Sequence, residues 1–265
     1  MKPLKLTINW NNPITKGLVW NSVPSANNFI DLVMNRQGSL LTSGSWNGVS
    51  PFGTSLSSSS TSNGGAYWPY TTQIDRINRE FTIIVIARID GIATFSHFMT
   101  IPYSATWSSP YYSIQFVRDN NTANAAIAWT ISGANTTALG VSNGFFTVGP
   151  LAMYAVSCNP SNSLFYKNGI LKETVATGIS GAIDFGGKRE ITLLNHNSAD
   201  PGEGITGIMP FAAIWKRRLT AYEHLSLYTN IWQIYTMQTG ISGAVGSTAV
   251  AALTRYYRQL MGIGQ

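Results

Sequence analysis

The sequence predicts an all-β protein of antiparallel strands, and three observations carry that prediction. Short apolar runs recur along the 265 residues with turn residues between them, the spacing of a many-stranded β protein. Asn168-Gly169 separates "SLFYK" from "ILKET", and this dipeptide supplies the positive φ that both central positions of a type I′ hairpin require. Before the last thirty residues or so, one stretch alone reads as a helix, and it follows a strand-like run without a turn. A length of 265 residues fits one large domain, because sandwiches and barrels often exceed about 200 residues as single units.

Taken in order, the predicted strands are "LKLTIN" at 4–9, "GLVW" at 17–20, "FTIIVIARI" at 81–89, "YYSIQFVR" at 111–118 and "NAAIAWTIS" at 124–132. They continue with "LAMYAVSC" at 151–158, the hairpin "SLFYKNGILKETV" at 163–175, "REITLLN" at 189–195 and "GIMPFAAIWK" at 207–216. The Ser-rich segment 53–66, "GTSLSSSSTSNGGA", reads as a surface loop inside the domain, since strand-like "AYWPY" follows at once. Runs such as "TIIVIA" are apolar at consecutive positions, which predicts inner strands covered on both faces or a sheet whose second face is closed by loops.

The helix opens at Thr220 with Glu223 three residues on, the spacing of a capping box. A cap contributes about 1 kcal/mol, and isolated helices under about 12 residues are marginal, so this one needs packing beneath it. Leu219, Leu225, Tyr228 and Trp232 are the expected contacts. From Thr236 onward the chain carries spaced glycines and no acid. Residues 247–261 then read as an amphipathic basic helix: Ser247 caps it, Val250, Leu253, Tyr257 and Leu260 share a face, and Arg255 and Arg258 sit in its C-terminal half. This divides the chain into a domain over 1–235 and a Gly-rich linker plus docking tail over 236–265.

Charged residues make up 11% of the chain, about half the usual share of a soluble domain, so the surface is polar rather than charged. The net charge of +6 is spread thinly, and its longest block is Lys216, Arg217, Arg218, which argues against nucleic-acid binding. The single cysteine, Cys158, excludes intramolecular disulfides and Cys-based metal clusters. No apolar stretch approaches the length of a transmembrane helix, so no membrane partner is expected. The N-terminus lacks the apolar core of a signal peptide, which implies synthesis in a cytoplasm.

The order "TKGLVW", "REFTIIVIARID", "SLFYKNGILK" and the strand leading through Arg218, Leu219, Thr220 and Glu223 into a short helix resembles the concanavalin A-like lectin/glucanase domains of the laminin-G-like type. The ending "NIWQIY" is similar to that of bacteriophage members. The resemblance spans about residues 14–235 and implies a two-sheet jelly-roll sandwich with the helix packed on its edge. It implies a non-enzymatic virion protein, as capsid decoration, head fibre or tail appendage, located on the particle. Its partners would be other virion proteins, self in a homo-oligomer, or a cell-surface glycan. Its rivals are a carbohydrate-binding module and, last, a glycoside hydrolase.

Retaining glucanases need an acid and a nucleophile about 5 Å apart, supplied on this fold by an E-x-D-x-x-E strand. That pattern is absent, since Glu190 is followed by Ile191, Thr192 and Leu193. No catalytic residue and no cofactor are expected. Trp20, Trp129 and Trp215 lie in strands and are assigned to the core, whereas Trp46, Trp68 and Trp107, with Tyr67, Tyr70, Tyr103 and Tyr111, form the candidate glycan-stacking platform. Asn195, Asp200 and Glu203 are the best oxygen cluster for calcium, but two carboxylates are fewer than such loops usually hold, and a solvated turn is the favoured reading. His97, His196 and His224 carry no metal-ligand spacing and are read as structural or exposed.

Overall fold

The computed structural model describes residues 5–25, 28–50, 53–92, 96–104, 110–118, 124–140, 144–187, 190–196, 198 and 202–238. The tail helix expected over 247–261 lies outside them. In chain order the strands are β1 (Lys5–Ile8), β2 (Leu18–Ser25), β3 (Asn28–Asp31), β4 (Arg36–Gln37), β5 (Ser39–Leu40), β6 (Gly44–Ser50), β7 (Gly53–Ser58), β8 (Ala66–Pro69) and β9 (Phe81–Ile92). They continue with β10 (Ser96–Pro102), β11 (Tyr112–Arg118), β12 (Ala125–Ile131), β13 (Ala134–Leu139), β14 (Leu151–Cys158), β15 (Ser163–Lys167), β16 (Ile170–Val175), β17 (Glu190–Leu193), β18 (Ile205–Trp215) and β19 (Tyr235–Gln238). Among the described residues the one α-helix is α1 (Ala221–Thr229). None is long and apolar enough to cross a membrane.

The strands form an antiparallel β-sandwich. One sheet has seven strands in the order β13-β12-β11-β10-β17-β8-β5; the other has ten, running β16-β15-β14-β9-β18-β2-β3-β4, with β7 paired to β18 and β6 to β7. The core lies between them. Strand β9 shows how its sequence satisfies both faces: Phe81, Ile83, Val85 and Ala87 enter the inter-sheet core, while Ile84 and Ile86 point to a second apolar layer on the far side. The consecutive apolar run is therefore covered on both faces, as the sequence predicts.

That second layer explains the helix. Phe211, Ala213 and Trp215 of β18 and Met153 and Ala155 of β14 meet Leu219, Leu227, Ile231, Ile234 and Tyr235. Helix α1 and the small β1–β19 ribbon thus seal the back of the ten-stranded sheet. The capping box forms: Thr220 Oγ1 accepts from the Glu223 amide at 3.2 Å, and the Glu223 carboxylate accepts from the Thr220 amide at 2.8 Å. Arg217 adds a two-pronged pair to the same carboxylate, at 2.5 and 3.0 Å. Beneath the helix a buried chain runs from Thr82 Oγ1 to Ser157 Oγ at 2.7 Å and on to His224 Nε2 at 2.8 Å, with the His224 ring stacked on Tyr166. Leu225, expected in this contact, is 48% exposed; His224 and Leu227 are the buried helix positions, while Leu219, Tyr228 and Trp232 pack on the layer as expected.

The Asn168-Gly169 hairpin takes positive φ at both residues, 52° and 76°, and its tip lies under α1, where a Cβ on Gly169 would meet Leu225 Cα at 2.9 Å. Three expectations change. The Ser-rich segment begins as strand β7, with Ser55 and Ser58 buried and Leu56 in the core, because pairing to β6 and β18 satisfies its backbone where local propensity does not. Strand β13 forms through a Ser132-Gly133 turn, again with positive φ at both positions, although Ser is a weak signal for that geometry. Thr236–Gln238, placed in the tail by composition, pair with β1.

Candidate functional site

The sandwich has a second outer face, that of the seven-stranded sheet, and its chemistry differs. Alternation sends Ile114 and Phe116 of β11, Ile191 and Leu193 of β17, Ala66 and Trp68 of β8, and Ile127 and Trp129 of β12 into the core. The residues between them face outward. The register then aligns Tyr67, Thr192, Thr100, Gln115, Ala128 and Thr137 in one lateral row across six strands. At about 4.8 Å per strand the row is about 24 Å long. Thr100, Thr192 and Ala128 are fully buried, Tyr67 and Gln115 are half-buried, and Thr137 is exposed. Gln115 Oε1 is buried and has no hydrogen-bond partner among the described residues. Such an orphan acceptor costs about 1–3 kcal/mol, so its retention calls for an explanation. Beside the row, Glu190 accepts from the Ser198 amide at 2.7 Å and from its hydroxyl at 2.6 Å.

At one end of this face the segments after β17 and before β18 bring three ligating side chains together. His97 of β10, His196 and Glu203 place one ligating atom each within 4.8 Å of one another. His97 Nε2 lies 3.3 Å from Glu203 Oε2, its Nδ1 lies 3.1 Å from Thr100 Oγ1 in the row, and His196 Nδ1 lies 3.9 Å from Glu203 Oε2. The His97 amide donates to the Glu203 carbonyl at 3.0 Å, and Glu203 takes a left-handed φ of 50°, which turns its carboxylate toward the rings. Burial lowers the His97 pKa, and the hydrogen bond from His97 holds the Glu203 carboxyl below its ordinary range. The neutral ring carries one proton; on Nε2 it donates to Glu203 and leaves Nδ1 to accept from Thr100, so both partners are satisfied.

The structure separates the residues singled out from sequence. Trp68 is fully buried, packed edge-on to Trp20 at 5.4 Å; Trp46 stacks on Phe29 at 5.3 Å and packs against the core. Neither forms a free stacking platform with the tyrosines, because inward parity and an aromatic cluster outweigh their polar, loop-like surroundings. Tyr67 belongs to the outward row. Tyr103 stands at the end of β10, its hydroxyl donating to Asp184 at 3.2 Å. Trp107 and Asp200 lie outside the described residues. Asn195 is not free to act as an oxygen ligand: its Oδ1 accepts from the amides of His196 and Gly202, both at 2.8 Å, bracing the loop. Glu203 does converge with other ligands, but they are the two histidines that linear spacing dismissed. The row and His97 were missed because register between distant strands creates them; the local signal was alternation, as in "SIQF".

No protein-family model matches the sequence, and no curated protein matches it. Solved structures do match in fold. The binding domain of Paraclostridial Mosquitocidal Protein 1 superposes with a TM-score of 0.62 at 13% identity, over 83% of this chain and 53% of that one. The binding domain of botulinum neurotoxin DC in complex with SialylT gives 0.58 at 15%, over 82% and 52%. Trypanosoma rangeli sialidase in complex with sialic acid gives 0.53 at 15%, over 81% and 33%. The chain thus spans about half the length of the toxin domains and a third of the sialidase, and the likeness is one of β-sandwich fold.

Proposed function

We propose that this chain is a non-enzymatic carbohydrate-binding module whose ligand lies along the outward row of the seven-stranded sheet. The observation that carries the reading is that row: half-buried Tyr67 and Gln115 and exposed Thr137, set beside buried Thr192 and Thr100, with Gln115 Oε1 lacking a partner among the described residues. Sugar hydroxyls both donate and accept, and a row that presents a phenol, an amide and a hydroxyl can match them. The fold relatives support the class: they include a neurotoxin binding domain in complex with SialylT, a sialidase in complex with sialic acid and a neurotoxin whose cell entry depends on two ganglioside molecules. A jelly-roll connectivity of the concanavalin A-like type belongs to the same proposal. Sialylated oligosaccharides are the first probes. Binding of sialyllactose to the full chain, followed by ligand-observed NMR, should weaken about tenfold in Thr137→Val and in Gln115→Met, the loss of about 1.4 kcal/mol expected for one good hydrogen bond. Unchanged binding in both variants would remove the row from the ligand site.

Display on a bacteriophage particle, with virion partners held through residues 236–265, is a separate proposal supported by the "NIWQIY" resemblance and the sparsely charged composition. Mass spectrometry of purified particles tests it: absence of the chain there would end that reading.

A further inference from the structure

We infer that His97, His196 and Glu203 form a Zn²⁺ site that ties the segment between β17 and β18 to β10 at the end of the outward row. The donor set argues for the ion. Two imidazoles and one carboxylate suit zinc, whereas calcium and magnesium select oxygen ligands, and the loop's own amide oxygen, Asn195 Oδ1, is already held by two backbone amides. Three protein ligands of this type leave a fourth position open.

The geometry is close to what the ion requires. Bonds of 2.0–2.1 Å in a tetrahedron place ligand atoms about 3.3 Å apart. His97 Nε2 and Glu203 Oε2 are 3.3 Å apart and His196 Nδ1 is 3.9 Å from that oxygen; the three ligating atoms lie within 4.8 Å of one another, so the ion would draw the His196 ring inward. Thr100 Oγ1, 3.1 Å from His97 Nδ1, orients the ring from behind, as outer partners of zinc-bound histidines do. With the ion on Nε2, the single proton of the neutral ring would sit on Nδ1 and be donated to Thr100 Oγ1, so the ring changes tautomer and loses no proton. Both imidazoles are buried, with side chains 2% and 6% exposed, while Glu203 is 39% exposed. The open position therefore faces outward on the Glu203 side, where a water or a ligand oxygen could occupy it. His97 stands about a hundred positions from His196 and Glu203 in the chain, and the β10–β17 pairing, the Leu194 amide's bond to the Phe98 carbonyl and the His97 amide's bond to the Glu203 carbonyl bring them together. This site does not depend on the glycan reading, because its three ligands are outside the row that reading uses.

The test uses the full chain, stripped with EDTA, dialysed and titrated calorimetrically with ZnCl₂. One Zn²⁺ per chain is expected, with a dissociation constant in the micromolar range or tighter, and Co²⁺ should give the visible absorption of a four-coordinate site. Glu203→Gln, a same-shape change at the partly exposed ligand, should weaken Zn²⁺ binding at least tenfold while leaving the far-ultraviolet circular dichroism unchanged. His196→Gln should do the same and abolish the Co²⁺ spectrum. Sub-stoichiometric Zn²⁺ uptake, equal affinity in Glu203→Gln, or preference for Ca²⁺ over Zn²⁺ would overturn the inference.

Discussion

The sandwich has two outer faces, and they solve opposite problems with the same strand chemistry. Behind the ten-stranded sheet, Ile84, Ile86, Phe211, Trp215 and Met153 project outward from the inter-sheet core and are sealed by Leu219, Leu227, Ile231, Ile234 and Tyr235. On the far side of the seven-stranded sheet, the corresponding positions carry Thr100, Thr192, Gln115 and Ala128. The first face gains free energy from water exclusion, at about 25 cal/mol per Å² of apolar surface. The second gains little: Thr100 and Thr192 spend their hydroxyls on His97 and Glu190, and Gln115 Oε1 has no partner among the described residues. That is the face on which the proposed ligand site lies.

The sharpest way to break this contrast is to cut into the sealed face. Trp215 is fully buried, and its Nε1 donates to the Ile14 carbonyl at 2.8 Å, so it joins β18 to the N-terminal segment as well as filling the layer. Trp215→Ala should cost about 3–5 kcal/mol, the range for deleting a buried aromatic side chain, read from the midpoint of urea unfolding. A loss under about 1.5 kcal/mol would mean the back layer is only a cover, and the two faces would no longer differ in kind.

A smaller effect tests the same seal through pH. His224 sits beneath α1 with Nε2 bonded to Ser157, and burial drives its pKa from 6.5 down to about 3, with Glu223 opposing and Arg218 adding to the drop. Between those values the unfolded chain binds a proton that the native chain refuses. Stability is therefore complete above about pH 6.5 and falls as pH drops toward 3. At 1.36 kcal/mol per unit, the loss attributable to this ring reaches about 3 kcal/mol by pH 4. His224→Gln keeps a hydrogen-bonding group for Ser157 and removes the titration, so the difference in stability between wild type and variant should shrink steadily from pH 7 to pH 4. A difference independent of pH would show that the helix lifts off the ring and admits water first.

Sequence reading recovered what local chemistry determines. The Asn168-Gly169 turn, the Thr220–Glu223 cap and the apolar strands each depend on neighbours a few residues away, and each is where it was expected. Strand β7 escaped because "GTSLSS" holds one apolar residue, Leu56, and so no apolar period; its place is set by β6 and β18. Trp46 and Trp68 misled for the converse reason: glycine and serine around Trp46 look like a loop, yet Phe29 and Trp20 are waiting across the fold. The histidine–glutamate cluster was half legible. The "NHNSADPGEG" stretch drew notice as a ligand-bearing loop, but His97 enters only through sheet register, which a linear spacing rule cannot express.

The smallest effect is also the most discriminating, because the two faces predict opposite signs. On the sealed face any loss of a side chain destabilises. On the polar face Gln115 holds a buried Oε1 with no partner among the described residues, so the amide is a cost to the folded state. Gln115→Met keeps the length of the side chain and removes the unsatisfied acceptor. Unfolding of the variant should show unchanged or higher stability, by up to about 1 kcal/mol, since replacing an unpaired buried polar group by an apolar one of similar shape is neutral or favourable. The same variant is the one expected to lose sialyllactose binding about tenfold, given that a single hydrogen bond contributes about 1 kcal/mol. Gain of stability with loss of binding is the behaviour of a residue kept for function at the expense of the fold. A destabilisation above about 1 kcal/mol would instead make Gln115 a structural group with a partner in the native state, and the outward row would then need the same explanation as the sealed face.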